Sequence, residues 1–253
     1  MIAIVLAGGG ADAVSAMRRD APNKAFVRVG DIPLVTRTID ALRSSSEVTR
    51  IIVVAPPSMH ASDALAGADE RRPDGARMIE SLDAGLAGIP PDEQVLVAAS
   101  DLPVLTRAAI DEFVDAARER DLDIGYAIVD QKVCYAQFPR VRHTWAAMFE
   151  GRFCGGGLFV LRPRALPALR TVLDDLGAAR KSPLRLAALF GWDIVPRFAL
   201  GFLPIAAAEA RASTILRVRA GAVRCTHAEI AVNVDRPIDL AIANGLVRRH
   251  GEV

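Results

Sequence analysis

Short apolar runs of β type alternate along this chain with longer segments of helical periodicity, and that alternation restricts the fold more than any other feature. Parallel strands joined by crossover helices produce it, because helices then cover both faces of the sheet. Ile2 to Leu6 is almost wholly apolar, as a central strand buried on two faces should be, and glycines stop it. Pro33 can open a helix in which Leu34, Val35, Ile39 and Leu42 recur at helical spacing. Ile51 to Ala55 reads as the second strand, ended by Pro56-Pro57, and Met78, Leu82 and Leu86 mark another helix. Val95 to Ala99 is a third buried strand, followed by a helix from about Ala108 to Arg118 and a further strand from Ile124 to Val129.

From about Asp130 to Gly155 the periodicity weakens, and Tyr135, Phe138, Trp145 and Phe149 gather there, which predicts a small lobe inserted over the sheet at about 130–157. Gly155-Gly156-Gly157 then precedes an apolar strand from Leu158 to Leu161, and Pro163 can open the next helix. Leu184 to Leu189 and Ile205 to Leu216 are helical by composition, Ile230 to Val234 reads as a late strand ending at Asp235, and Pro237 starts the last helix. No Ser/Gly linker divides the 253 residues, so the expectation is one α/β domain spanning 1–253. Its architecture is expected to be Rossmann-like: a mainly parallel sheet with helices on both faces.

Composition sets limits on partners. The 31 basic and 30 acidic residues leave a formal charge of +1, which gives no whole-molecule attraction to nucleic acid or anionic lipid, so any phosphate binding has to be local. Cys134, Cys154 and Cys225 form no Cys-x-x-Cys pair and leave an odd thiol, which reads as three reduced core thiols in a cytoplasmic protein rather than a disulfide framework or a zinc site. His60, His143, His227 and His250 lie apart and are expected to be surface or capping residues. The chain starts without a basic region and long apolar stretch of the targeting kind. Its longest apolar run, Phe198 to Ala208, is shorter than the roughly 20 residues of a membrane span, and a buried helix start is its expected role. Monomer and homodimer both stay open.

Three constellations can carry chemistry. Leu6-Ala7-Gly8-Gly9-Gly10 follows the first strand, where backbone N–H groups of an open α/β sheet can hold phosphate oxygens; a plain turn has the same composition. It lacks both the Gly-x-Gly-x-x-Gly order and the Gly-Lys-Ser/Thr ending. Lys24, in Pro22-Asn23-Lys24, can reach back to phosphates on that loop, as can Arg18 and Arg19, although each could equally be a solvated loop charge. Asp101 and Asp235 each end a predicted strand, and two convergent carboxylates beside a phosphate loop suit a hard cation such as Mg²⁺; aspartate is also an ordinary turn residue. Arg77 and Ser81, at the start of a predicted helix, could touch a base or ribose.

In order, Leu6-Ala7-Gly8-Gly9-Gly10, Pro22-Asn23-Lys24, Ser100-Asp101-Leu102-Pro103 and Asn233-Val234-Asp235-x-Pro-x-Asp-Leu resemble the signature of the MobA-like nucleotidyltransferases. The resemblance spans nearly the whole chain. It implies a GT-A-like fold with the nucleotide over Ala7 to Gly10, Lys24 on the phosphates, and Asp101 and Asp235 as Mg²⁺ ligands. It further implies transfer of a nucleoside monophosphate unit from an NTP to a small phosphorylated acceptor. The sequence departs from the family pattern before the lysine loop, where Arg-x-Gly is replaced by Arg18-Arg19-Asp20-Ala21.

Acceptor recognition is assigned to the 130–157 lobe, with Arg142, Trp145 and Gly156 as its candidates, because the core motifs already account for nucleotide and metal. Two other classes of function compete: a GT-A-like glycosyltransferase using a nucleotide-sugar, and a nucleotide-binding protein without catalysis.

Overall fold

A computed structural model describes residues 1–17, 21–179 and 191–250 of the chain. The first half runs β1 (Ile2–Leu6), a small hairpin of β2 (Arg28–Val29) and β3 (Ile32–Pro33), α1 (Leu34–Ser44), β4 (Arg50–Ala55), β5 (Glu70–Pro73), α2 (Met78–Leu86), β6 (Val95–Ala99) and α3 (Arg107–Glu119). There follow β7 (Ile124–Asp130), α4 (Gln131–Gln137), β8 (Ala146–Met148), β9 (Gly151–Leu161), α5 (Leu166–Ala179), α6 (Ile194–Ala199), α7 (Ile205–Leu216), β10 (Ala220–Cys225) and α8 (Pro237–His250).

Seven strands form the path β10-β7-β9-β6-β1-β4-β5, and β8 pairs onto β9 to make the eighth. β1 sits between β4 and β6, parallel to both, while β9 runs antiparallel to β6 and to β7. The alternation of β1 side chains explains why its sequence is apolar throughout. Ala3 and Val5 pack with Val35, Ile39 and Leu42 of α1 and Phe113 of α3 on one face, whereas Ile4 packs with Ile79, Leu82 and Leu86 of α2 on the other. The expected α/β fold, mainly parallel with helices on both faces, is the one observed.

Several expected elements are corrected. The glycines 155–157 lie inside β9 rather than before it, and the reason is close approach: a Cβ at Gly155 would stand 2.1 Å from the Tyr126 hydroxyl. The late strand expected at Ile230 to Val234 is a 3-10 turn, Ala228–Ala231, and the last strand is instead β10, whose small residues and lone arginine give a weak β signal. Phe198 to Ala208 is not a buried helix start, because α6 ends at Ala199, the chain turns through Gly201 (φ 74°), and Phe198, Leu200 and Phe202 are exposed, although α7 does begin at Ile205. The helix expected at Leu184 to Leu189 lies outside the described residues. No helix among the described residues is long and apolar enough to cross a membrane.

Asp123 fastens the amino-terminal end of β7 to its neighbours. Its carboxylate accepts from the Arg219 N–H (2.8 Å) and from Arg162 Nη1 (3.0 Å) and Arg164 Nη2 (2.5 Å), which joins the starts of β7 and β10 to the end of β9. Burial opposes the charge, but those N–H groups outweigh it and hold the Asp123 pKa below its ordinary 3.8. Removing the charge leaves the half-buried Arg162 short of a partner, so Asp123→Asn should lower the unfolding free energy by about 2–3 kcal/mol near neutral pH. Since the folded pKa is the lower one, this advantage of the wild type holds above about pH 4 and shrinks as pH falls through the depressed value. Urea melts of both proteins at neutral and acidic pH check the size and the direction.

Candidate active site

The carboxyl ends of β1 and β6 open onto the same edge of the sheet, and the chain leaves both strands in loops that carry polar groups. After β1, the Ala7 N–H still donates to the Val54 carbonyl (2.8 Å), so the turn away from the sheet begins at Gly8. Gly9 has a φ of 100°, a conformation that strains any residue with a Cβ, while a side chain there would meet open space. Conformation, not crowding, requires that glycine. The Gly9 N–H donates to Asp74 Oδ2 at 2.9 Å, so this donor already holds a carboxylate oxygen.

Asn23 ties this loop to the lysine. Its amide nitrogen donates to the carbonyls of Ala7 and Gly9, both at 3.0 Å, and its side-chain oxygen accepts from the Ala25 N–H at 3.0 Å. The last bond caps the 3-10 turn Lys24–Phe26 and aims Lys24 into the cleft. Asp12 supports the turn from outside, taking the Lys24 N–H at 3.2 Å. Lys24 Nζ then lies 2.6 Å from Asp101 Oδ2 and 2.5 Å from Asp235 Oδ1. Asp235 reaches this point without a strand of its own, because the Val234 N–H donates to the Asp101 carbonyl at 3.2 Å.

Asp101 is 2% exposed, and burial pushes its carboxyl above the ordinary range against the pull of the Lys24 ammonium. Burial works the other way on Lys24, but the charges and hydrogen bonds of Asp101 and Asp235 outweigh it, and its pKa is raised. The ammonium is therefore secure. Asp101 Oδ2 meets the Lys24 ammonium at 2.6 Å, and no other partner of that oxygen is found among the described residues. A buried carboxylate oxygen whose one partner is an ammonium, beside a second carboxylate on the same ammonium, fits a hard divalent cation.

The cleft at this point, about 360 Å³, is lined by Leu6, Gly8, Gly9, Lys24, Ser81, Asp101, Gly156 and Asp235 of the residues expected from sequence. Ala7 and Gly10 are not on its wall. Ser81 is buried, and its hydroxyl accepts the Gly75 N–H at 3.0 Å. Arg77 lines the cleft but pairs with Glu80 and Asp174. A second cleft of about 450 Å³ shares Gly156, Asn233 and Asp235 with the first and is lined by Arg142, which is exposed there. Trp145 is not on either wall; its ring packs on Tyr135 (5.7 Å between centroids) and on His143 (5.1 Å). Arg18 and Arg19 lie outside the described residues.

Sequence reasoning missed Asp74, the clamp made by Asn23, and Tyr126, which lines both clefts from β7. Tyr126 carried a readable signal, a polar-tipped aromatic within a strand, whereas the partner of a half-buried loop carboxylate such as Asp74 has none.

The family model for the MobA-like NTP transferase domain matches residues 3–187, which include the glycine loop, Lys24, Asp101 and Gly156. A hypothetical transferase from Thermus thermophilus is similar over 94% of this chain and 98% of its own, at 34% identity and a TM-score of 0.82. The fold is shared more distantly with 4-diphosphocytidyl-2C-methyl-D-erythritol synthase from Anaerococcus prevotii (13% identity, 98% of each chain, TM-score 0.60). It is shared also with a CMP:2-keto-3-deoxy-manno-octonic acid synthetase solved with CTP (12% identity, 98% of each chain, TM-score 0.59). No curated protein matches the sequence.

Because Asn23 is 2% exposed and satisfies two loop carbonyls, Asn23→Ala should cost about 1–3 kcal/mol of stability and loosen the glycine loop. Chemical denaturation and amide hydrogen exchange of residues 8–10 and 25 measure both effects. Unchanged stability with unchanged exchange would mean that Asn23 does not hold the loop.

Proposed function

The chain belongs to the MobA-like NTP transferase family, and we propose that it transfers a nucleoside monophosphate unit from an NTP to a small phosphorylated acceptor, releasing pyrophosphate. The observation that carries this reading is the Lys24 ammonium held between Asp101 and Asp235 at the mouth of the glycine loop. An acceptor phosphate oxygen bonds to the α-phosphorus of the NTP, the bond from that phosphorus to the β-phosphate oxygen breaks, and pyrophosphate leaves. The acceptor is already anionic at neutral pH, so the chain has to position and neutralise rather than remove a proton.

Each residue then has a defined part. Mg²⁺ held by Asp101 and Asp235 would supply Lewis-acid polarisation of the phosphate oxygens. Lys24, kept charged by the same carboxylates, neutralises negative charge that builds toward the leaving pyrophosphate. A phosphate oxygen takes the Gly9 N–H in place of Asp74, and the adjacent N–H groups of Gly8 and Gly10 complete the cradle. Ser81 holds the loop at Gly75 that leads into α2, as the wall against the nucleoside. The absence of a side chain at Gly156 matters because a Cβ there would crowd Ala127 and Ile230 at the join of the two clefts. In the second cleft Arg142 meets the acceptor phosphate, and Trp145 braces the loop that carries it rather than facing the acceptor.

Pyrophosphate release, followed for the four NTPs with Mg²⁺ across a panel of phosphorylated acceptors, tests the reading. Sugar transfer from a nucleotide-sugar without pyrophosphate release would overturn it in favour of a glycosyltransferase, and nucleotide binding without turnover on any acceptor would favour a non-catalytic role. Asp101→Asn should reduce kcat by about 10²–10³-fold. Its melting temperature should change little, since the amide relieves the desolvation cost that raises the Asp101 pKa while Lys24 gives up one carboxylate and keeps Asp235. A variant with lowered stability and wild-type turnover would make Asp101 a structural residue.

A further inference from the structure

Among the described residues, Cys134, His143 and Cys154 form a cluster of metal-ligating side chains that the proposed reaction does not use. Sequence reading makes them two core thiols and a surface histidine, because no short metal-ligand spacing links them. Both thiols are indeed buried and free, and tertiary structure adds what spacing does not show: one ligand atom from each residue, two sulfurs and a ring nitrogen, all lie within 4.8 Å of one another. They arrive from three different pieces of the lobe. Cys134 is in α4, whose start Asp130 caps by accepting the Lys132 N–H at 2.7 Å; His143 is in the 138–145 loop; Cys154 is in β9.

The arrangement suits a soft cation in several independent respects. The two sulfurs are 3.6 Å apart, close to the roughly 3.8 Å edge of a tetrahedron with zinc–sulfur bonds of about 2.3 Å. Both cysteines are buried and free, so two thiolates would neutralise a dication where an unbalanced charge would be costly. His143 Nε2 is buried and makes no well-formed hydrogen bond among the described residues, its ring interacting with the Cys154 thiol instead. The His143 ring stands edge-on to Trp145, which packs in turn on Tyr135, so aromatic contacts fix the orientation of the imidazole.

We propose that Cys134, His143 and Cys154 form a binding site for a zinc-class divalent cation, which pins α4, the 138–145 loop and β9 together beside the nucleotide cleft. Coordination forms two metal–sulfur bonds and one metal–nitrogen bond, and each thiol gives its proton to solvent. Ligand chemistry keeps this site distinct from Asp101 and Asp235, since thiolate and imidazole select zinc-class ions and carboxylates select Mg²⁺. Three protein ligands leave a fourth position, and because His143 and Cys154 both line the cleft that holds Arg142 and Asp235, it is reached from that cleft.

Cobalt(II) is the probe, because a thiolate–cobalt charge-transfer band reports sulfur ligation and ignores carboxylate sites. Full-length protein, reduced and kept free of oxygen, should bind one equivalent of Co²⁺ with that band, and Zn²⁺ should bleach it. C134S and C154S should each lose most of the band while keeping the wild-type circular dichroism. H143A should weaken Co²⁺ binding at least tenfold, whereas C225S and D101N should keep both band and affinity. Zn²⁺ should raise the melting temperature of the wild type but not of C154S. A wild type without the band at one equivalent, or a band that survives in both C134S and C154S, would overturn the proposal. So would a Cys134–Cys154 disulfide found by mass in protein that has been treated with reductant. None of these readouts depends on nucleotidyl transfer, so the site stands or falls separately from the proposed reaction.

Discussion

A carboxylate as buried as Asp101 loses hydration worth several kcal/mol, and Lys24 at 2.6 Å is the one cation placed against it among the described residues. That contact exists only if the segment after β1, the loop after β6 and the approach to α8 meet at one point. The backbone bond from Val234 to Asp101 and the clamp of Asn23 on Ala7 and Gly9 bring them there. The ion bridge Asp101–Lys24–Asp235 is thus the interaction from which the cleft takes its shape. Loops belonging to distant parts of the chain behave as one wall because the penalty for separating a buried charge pair is large.

The two ends of the sheet use the same chemistry to different effect. At the amino-terminal end of β7, Asp123 has a backbone N–H and two guanidinium groups, and its pKa is depressed; that carboxylate is satisfied and holds strands together. At the opposite edge Asp101 has one ammonium as its partner and a pKa pushed up by burial. Stability alone would favour replacing such a group. A carboxylate kept buried with a single cation at the carboxyl end of a parallel strand is where an open α/β sheet places its ligand chemistry. Asp235, more than half exposed, has less to lose and can change partners at lower cost.

The lobe after β7 has a different foundation. It contributes one short helix and the β8–β9 pairing, and little of the large apolar core lies within it. Its order rests on packing of Cys134, Phe138, Val141 and Cys154 against the sheet and on the aromatic contacts of Tyr135, His143 and Trp145. Segments with so few buried neighbours open more readily than core strands. A cross-link through two sulfurs and an imidazole would restrict such opening without enlarging the core, and it would do so next to Arg142.

The sequence by itself determined the parallel core. Ile2 to Leu6, Val95 to Ala99 and the helices opened by Pro33 and Pro237 lie where their patterns put them, because burial on two faces and fixed proline φ leave local marks. Asp101 was legible for the same reason, since it follows a strongly patterned strand, whereas Lys24 stands in an irregular loop and Asp235 follows a 3-10 turn, so that the resemblance to the family pattern rather than periodicity marked them. Only the tertiary structure decided what depends on partners distant in sequence. Ala220–Cys225 is a strand because β7 offers it an edge, not because Ala-Gly-Ala-Val-Arg-Cys favours extension. Glycines 155–157 run inside β9 because neighbouring side chains fill the space their own would occupy. Asp74 meets Gly9, Lys24 bridges two aspartates and His143 joins two cysteines through loop paths that no periodicity encodes. Periodicity records which face of an element is buried; it carries no information on which loops meet beyond the strand ends.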